Sequence, residues 1–372
     1  MEYVQEHVAT LHAYDTPDPA VSLADVAVVV PLVGRDYATP ATEGVFETLS
    51  ELGPARVIVA LRAEPARVGE VADWLSGFDL SLSVLWCNAP ALEATLAEAG
   101  LNGEAGKGRD VWLALGVAST SEYVVVHDAD AHSYDRTQVP RLVFPLQQGY
   151  SFSKGYYARI ENDKLYGRLC RLFVVPLIEA LAAEDNAAIL PYLRAFRYPL
   201  AGECAMTGDL ARTLRVPRGW GLELGTLGDA FLAGREATAQ VDLGMHEHSH
   251  RAVSGPDGLG NMAREVGETL FTVVEEHGVS PEYETLPARY RDVANRLIAQ
   301  YETDAAFNGL EYDTDSERTQ VDHYSDAIAP PGSDDRLPAW ADISLDPALI
   351  AERSQTELER VCGPPTESVT HD

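Results

Sequence analysis

The triplet Asp128-Ala129-Asp130 sets two carboxylates one residue apart, directly after the apolar run Tyr123-Val124-Val125-Val126-His127. Where a buried strand opens into a loop, both acids can reach one ligand. Oxygen donors suit a hard divalent cation, Mg2+ or Mn2+, whose shell is commonly completed by phosphate oxygens. The plainer reading is an Asx turn carrying surface acids; the position after the strand favours the metal. Upstream, Gly106-Lys107-Gly108-Arg109 opens a helical pattern. Glycines let backbone approach an anion, and a helix N-terminus offers it free N–H groups. Lys107 is one of three lysines beside 25 arginines, which argues for a compact ammonium at that point.

Three of the ten histidines cluster in His246-Glu247-His248-Ser249-His250. Alternate positions of an extended segment face the same way, and neutral imidazole is a common metal ligand. Taken alone, such a cluster is a surface loop; beside Asp128 and Asp130 it reads as part of a metal centre. Glu223 stands in the glycine- and leucine-rich stretch Gly219-Trp220-Gly221-Leu222-Glu223-Leu224-Gly225, and Glu203 follows Pro199-Leu200-Ala201-Gly202. Either acid could orient a substrate hydroxyl, or could simply be the first-turn acid of a helix.

The elements that must position these groups follow from periodicity. Val26–Leu32, Arg56–Leu61, Leu80–Trp86 and Tyr123–His127 read as strands covered on both faces. Between them Val68, Val71 and Leu75 share one helical face, Leu92 and Leu96 another, and Val111, Leu115 and Ala118 a third. Strands alternating with helices predict an α/β fold with a mostly parallel sheet, whose ligands bind at the strands' carboxyl ends. Residues 1–20 read as a loop-like N-terminal extension and 21–255 as the catalytic domain. Residues 256–305 read as C-terminal helices. Residues 306–372 read as an acidic, loop-rich tail, since ten acids face two arginines between 302 and 337.

Fifty-eight acidic against 28 basic side chains leave a formal charge of -30. That field repels phosphate backbones and anionic lipid, so neither nucleic acid nor membrane is an expected partner. With 46% apolar residues the acid excess belongs to a surface rather than to disorder, and it reads as adaptation to high salt. Cys87, Cys170, Cys204 and Cys362 form no C-x-x-C pair, signalling neither a disulfide framework nor a zinc site. The N-terminus lacks signal-peptide character and no apolar run is long enough to span a bilayer, so a cytoplasmic protein is expected.

Taken in order, Gly106-Lys107-Gly108, Asp128-Ala129-Asp130, Pro199 to Glu203, Gly219 to Glu223 and Val241-Asp242-Leu243-Gly244 to His248 resemble one family. It is that of the retaining glycosyltransferases that make glycosylglycerates, most nearly the glucosyl-3-phosphoglycerate synthases, with mannosylglycerate synthases as relatives. The resemblance covers roughly residues 22 to 275. It implies a GT-A fold, a UDP- or GDP-hexose donor, Mg2+ or Mn2+, and retaining transfer to the 2-hydroxyl of 3-phosphoglycerate or glycerate. Carried over, Pro31, Leu32, Asp128, Ala129 and Asp130 face the donor. Asp128, Asp130 and His248 hold the metal, and Lys107 and Glu223 flank the reacting centre. Lys154, Gly167, Arg168, Glu203 and His250 fall on the acceptor side, and the C-terminal helices would form a homodimer. Two loops depart from the family's pattern: Pro31-Leu32-Val33-Gly34-Arg35-Asp36 replaces Pro-x-x-Asn-Glu-Glu, and Ala60-Leu61-Arg62-Ala63-Glu64 replaces an Asp-Ser-Gly-Ser-type segment. Cys170 stands where the glucosyl enzymes use a phosphate-binding threonine, and cysteine is a poor donor. The nucleobase and the acceptor's phosphorylation are therefore left open, as is a homologue that binds without turnover.

Overall fold

Val26, Ala27, Val28, Val29 and Val30 have no solvent exposure, as a strand covered on both faces requires. They belong to a central sheet, seen in a computed structural model that describes residues 5, 7–15, 17–247 and 258–362. Among the described residues that sheet comprises β1 (Ala9–Leu11), β2 (Val26–Val33), β3 (Arg56–Arg62), β4 (Leu82–Trp86), β5 (Tyr123–Val126), β6 (Phe152–Ala158), β7 (Cys204–Thr207) and β8 (Thr238–Met245). The order is β1-β8-β6-β7-β5-β2-β3-β4. All pairings are parallel except those of β7 with β5 and β6. Val29 lies opposite Ile58 on β3 and Val126 on β5, and Val33 lies opposite Arg62. This register ends β2 and β3 level with each other, while β5 stops four residues earlier, opposite Val29.

The crossovers are helical: α1 (Pro40–Leu52), α2 (Pro65–Leu75), α3 (Pro90–Glu98) and α4 (Lys107–Ala118). α1 shows its local code plainly. Thr39 Oγ1 accepts from Thr42 N, Pro40 begins the helix, and Gly53 ends it at φ +60°. Beyond β5 come α5 (Gln138–Gln147), α6 (Val175–Ala182), α7 (Ile189–Arg194), α8 (Gly208–Thr213) and α9 (Leu222–Leu232). The C-terminal part adds α10 (Leu259–Glu276), α11 (Leu286–Asn308), α12 (Thr314–Ser325) and α13 (Pro347–Cys362).

Both chain ends differ from expectation. The N-terminal segment is not all loop: β1 pairs with β8 and extends the sheet. Nor is the region after 305 a solvated tail. α12 sends Glu317 into the core to meet Arg168 and Arg171, and α13 packs on α2, α3, α4 and β4. Trp340 stacks on Trp112 of α4 with ring centroids 4.2 Å apart, and each indole N–H donates to a carbonyl across the contact, Trp340 to Trp112 O and Trp112 to Pro338 O, both at 2.8 Å. Apart from Glu317, the acids of this region lie mainly on outer faces, while Leu337, Trp340, Ile350 and Leu358 are buried. In consequence α4 is buried along its whole length from Gly108 to Ala118, where its sequence reads as a one-sided helix. Among the described residues no helix is long and apolar enough to cross a membrane.

Candidate active site

At the carboxyl ends of β2, β3 and β5 opens a cleft of about 670 Å3, which takes in Pro31, Leu32, Lys107, Asp128, Ala129 and Asp130. These six residues, expected on the donor side and drawn from three separate segments of sequence, therefore line one cleft. Lys107 begins α4, and its Nζ lies 2.7 Å from Asp128 Oδ1 and 3.1 Å from Oε1 of Glu223, in the first turn of α9. Burial alone would lower the lysine's affinity for its proton. Asp128 and then Glu223 outweigh that and hold it well above the ordinary ammonium range. The cleft thus keeps a fixed cation between two acids at every physiological pH.

Lys107 meets Glu223 because glycine removes a steric barrier, but the barrier is not the one expected. A Cβ on Gly106 would stand 2.3 Å from Arg218 O, and one on Gly108 1.7 Å from Pro217 O. The glycines admit the segment Pro217-Arg218-Gly219, whose Arg218 carbonyl accepts from Arg109 N at 3.0 Å, rather than an anion. That segment leads directly into α9 and so delivers Glu223. The next glycines make the same kind of contact: Gly219 and Gly221 sit against Glu265 and Thr269 of α10.

The acidic loop after β5 is anchored from below. His127 is buried, with Nδ1 3.2 Å from Asp128 O and Nε2 3.0 Å from the Tyr134 hydroxyl. Burial lowers its pKa, and a neutral ring donating from Nδ1 and accepting from Tyr134 satisfies both contacts. Gly202 makes room for the acid itself, since a Cβ there would lie 2.7 Å from Asp128 Oδ2.

Among the described residues, those expected on the acceptor side are placed away from the cleft wall. Lys154 and Glu203 are 2% and 1% exposed and form a layer beneath the cleft rather than part of its wall. Lys154 Nζ donates to Ala201 O at 2.5 Å; burial lowers its pKa. Glu203 Oε1 stands 3.6 Å from Nε2 of His246, which is itself buried and stacked on Tyr157 at 4.3 Å. Arg168 does not project as a free clamp: Nε meets Glu317 Oε1 at 2.9 Å and Nη2 meets Ser316 Oγ at 3.3 Å, both from α12. Gly167 precedes it at φ +76°, against the Tyr198 ring. His248 and His250 lie outside the described residues.

Two groups in the cleft went unremarked as site residues. Arg62 ends β3 and Asp110 lies one turn into α4, with Arg62 Nε 2.9 Å from Asp110 Oδ2. Arg62 stands at the end of a parallel strand, a position that marks ligand contact; Asp110 gave no comparable signal because α4 reads as amphipathic. Chemically the cleft offers a cation flanked by carboxylates on rigid elements. That arrangement can bind a metal diphosphate and steady negative charge that grows on it.

No family model matches the chain. Glucosyl-3-phosphoglycerate synthase of Methanococcoides burtonii is 33% identical over 378 residues, covering 91% of this chain and 93% of the relative. The enzyme of that name from Persephonella marina is 32% identical over 324 residues, 82% of this chain and 80% of the relative. The crystal structure of Mycobacterium tuberculosis glucosyl-3-phosphoglycerate synthase in complex with Mn2+, UDP and phosphoglyceric acid matches with a TM-score of 0.54 and 27% identity. It covers 74% of this chain and 88% of that one. With the sheet order, the acidic strand end and a full-length relative in agreement, the chain belongs to the glucosyl-3-phosphoglycerate synthase family and is a glycosyltransferase of GT-A fold.

Proposed function

We propose that the cleft binds a nucleoside diphosphate glucose with Mg2+ or Mn2+ and transfers the sugar, with retention, to the 2-hydroxyl of 3-phosphoglycerate or glycerate. The observation that carries this is the Asp128–Lys107–Glu223 cluster, in which one cation joins the metal-side acid to the acceptor-side acid. A hard divalent cation fits the donors present: Asp128 and Asp130 supply carboxylate oxygens at a strand end and both line the cleft. Among the described residues no three ligating side chains gather by themselves, and the third donor of this reading is His248. When bound, the ion supplies charge neutralisation at the donor diphosphate.

The chain's own groups account for the rest. Lys107 faces the diphosphate as a permanent cation and stabilises the charge left when the bond from the anomeric carbon to phosphate oxygen breaks. Glu223, held by Lys107, orients the acceptor hydroxyl on the face the leaving group vacates. As the new carbon–oxygen bond forms, the hydroxyl proton passes to the departing phosphate oxygen, which gives retention without a carboxylate nucleophile. Buried Lys154 adds positive charge beneath the centre and feels both Glu223 and Glu203. On the acceptor side, Gly167 and Arg168, with His250, remain the candidates for the acceptor's anionic end. The relatives are named for 3-phosphoglycerate, while here Arg168 is shared with Glu317 and the buried Cys170 stands where the resemblance places a hydroxyl donor, so glycerate stays beside 3-phosphoglycerate as an acceptor of this reading.

Release of nucleoside diphosphate, measured with UDP-glucose or GDP-glucose against each acceptor, tests the reaction. Release that depends on 3-phosphoglycerate or glycerate is expected, and Asp130→Ala is expected to abolish it while leaving the melting temperature near wild type. Acceptor-independent release, or turnover surviving Asp130→Ala, would remove the roles assigned here. The same reading places the enzyme in the cytoplasm of a high-salt cell, without nucleic-acid or membrane partners. It also makes the enzyme a homodimer through its C-terminal helices, where Phe307 at the end of α11 is 88% exposed.

A further inference from the structure

Lys107 and Asp128 fix where a diphosphate would sit, and Pro31, Leu32 and Arg62 line the part of the cleft at the ends of β2 and β3. Asp110 belongs to this part too, one helical turn after Lys107. It is an unusual lining residue. Only 3% of Asp110 is exposed; Oδ2 is held by Arg62 Nε at 2.9 Å, while Oδ1 is buried with no hydrogen-bond partner. A buried carboxylate oxygen without a donor is costly unless something else supplies one. Arg109, the next charged neighbour, sends its guanidinium to Glu93 and the Cys87 carbonyl instead.

We infer that Asp110 and Arg62 form the pair that reads the donor's nucleobase, selecting a base with a ring N–H beside a carbonyl, uracil or guanine, over adenine and cytosine. The inference rests on the nucleotide-sugar reading of the cleft. Oδ1 is an acceptor without a partner, and a ring N–H supplies the hydrogen it lacks. The remaining guanidinium donors of Arg62 suit the adjacent carbonyl oxygen. Adenine and cytosine have no ring N–H at the corresponding position and could reach the acid only through an exocyclic amino group. Their unprotonated ring nitrogen also faces the acid as a second lone pair. Of the two side chains Arg62 is the one that can adjust, being 31% exposed against 4% for Asp110.

The test is competitive binding of UDP, GDP, ADP and CDP, each with Mn2+, to the full chain, with pyrophosphate as the probe of the diphosphate site. UDP or GDP should bind at least about tenfold more tightly than both ADP and CDP. Asp110→Asn, which offers an amide donor in place of the acceptor, should cut that ratio to within about threefold. Arg62→Met, on the more exposed side of the pair, should do the same should Asp110→Asn fail to fold. Pyrophosphate affinity should hold in both. A wild type that does not discriminate, or folded variants that keep the full ratio, would overturn the inference and leave the cleft's assignment standing. Failure of every nucleotide to bind would overturn both.

Discussion

Lys107 is placed where an ordinary surface lysine would gain little. It is 16% exposed and flanked by carboxylates at 2.7 and 3.1 Å. Its raised pKa contributes stability that is complete below the unfolded value and is lost only above the folded one, so the group is constant across the working range. Lys107→Met should therefore lower kcat about 10²–10³-fold, the effect of removing one preorganised charge, with the same deficit at pH 6 as at pH 8. A deficit that changed with pH would assign the effect to another group. Asp110 shifts in the same direction but titrates much nearer the working range. Burial pushes its carboxyl up from 3.8 to about 6, against Arg62 and Arg109, which pull it down, while Glu93 pushes it up. The folded state then holds this proton longer than the unfolded chain, so Asp110's contribution to stability falls as pH rises between those values. For binding, the protonated acid loses its acceptor. The donor's kcat/KM should fall below about pH 6, and this inflection should vanish in Asp110→Asn.

At the scale of elements, the approach of the 217–219 segment to the start of α4 decides whether Glu223 reaches Lys107. Gly108→Ala places a methyl 1.7 Å from a backbone oxygen, which no rotamer change relieves. A loss of about 1–3 kcal/mol or more is expected, together with a fall in kcat larger than the lost stability explains. Gly44→Ala on α1 is the contrast. Nothing lies within 4 Å of its Cβ position, and this interior helical site should gain up to about 1 kcal/mol. Thermal melts beside initial rates separate the two cases. The same contrast shows what was legible in the sequence. β2 to β5 were, because strands buried on both faces are continuous apolar runs, and the acids at the end of β5 followed from them. β6 and β8 were not: their Ser153, Lys154 and Gln240 are polar yet buried. Gln240 is satisfied by Thr10 and Ala195, and Lys154 by Ala201, all remote in sequence. Nor could local pattern show that Trp340 covers α4 across 228 positions, or that Glu317 had already taken Arg168.

For the whole molecule the question is what a net charge of -30 does to stability. Of its three lysines, Lys107 and Lys154 are in or under the site and Lys164 pairs with Glu311, so arginine alone otherwise offsets the surface acids. Salt has two opposed effects. It weakens exposed pairs such as Arg264–Glu268 at 3.1 Å, each worth at most about 1 kcal/mol. It also relieves like-charge contacts, and α1 carries a run of them: Glu43, Glu47 and Glu51 are exposed, spaced four residues apart, with no basic residue in the helix. Each such contact costs about 0.2–0.5 kcal/mol. Side chains one turn apart lie about 5–6 Å from each other, inside a Debye length of ~10 Å at 0.1 M salt but outside the ~3 Å of 1 M. With acids outnumbering bases two to one, relief should outweigh loss, and the melting temperature should rise between 0.1 and about 1 M KCl. Glu47→Lys turns two repulsions into two attractions. It should raise the melting temperature by about 1–3 °C at low salt, and the gain should shrink as KCl is added. Sucrose, which strengthens burial without screening, separates the causes: a gain from Glu47→Lys that shrank equally in sucrose, or a wild type that melted lower in KCl, would show that repulsion is not what salt relieves.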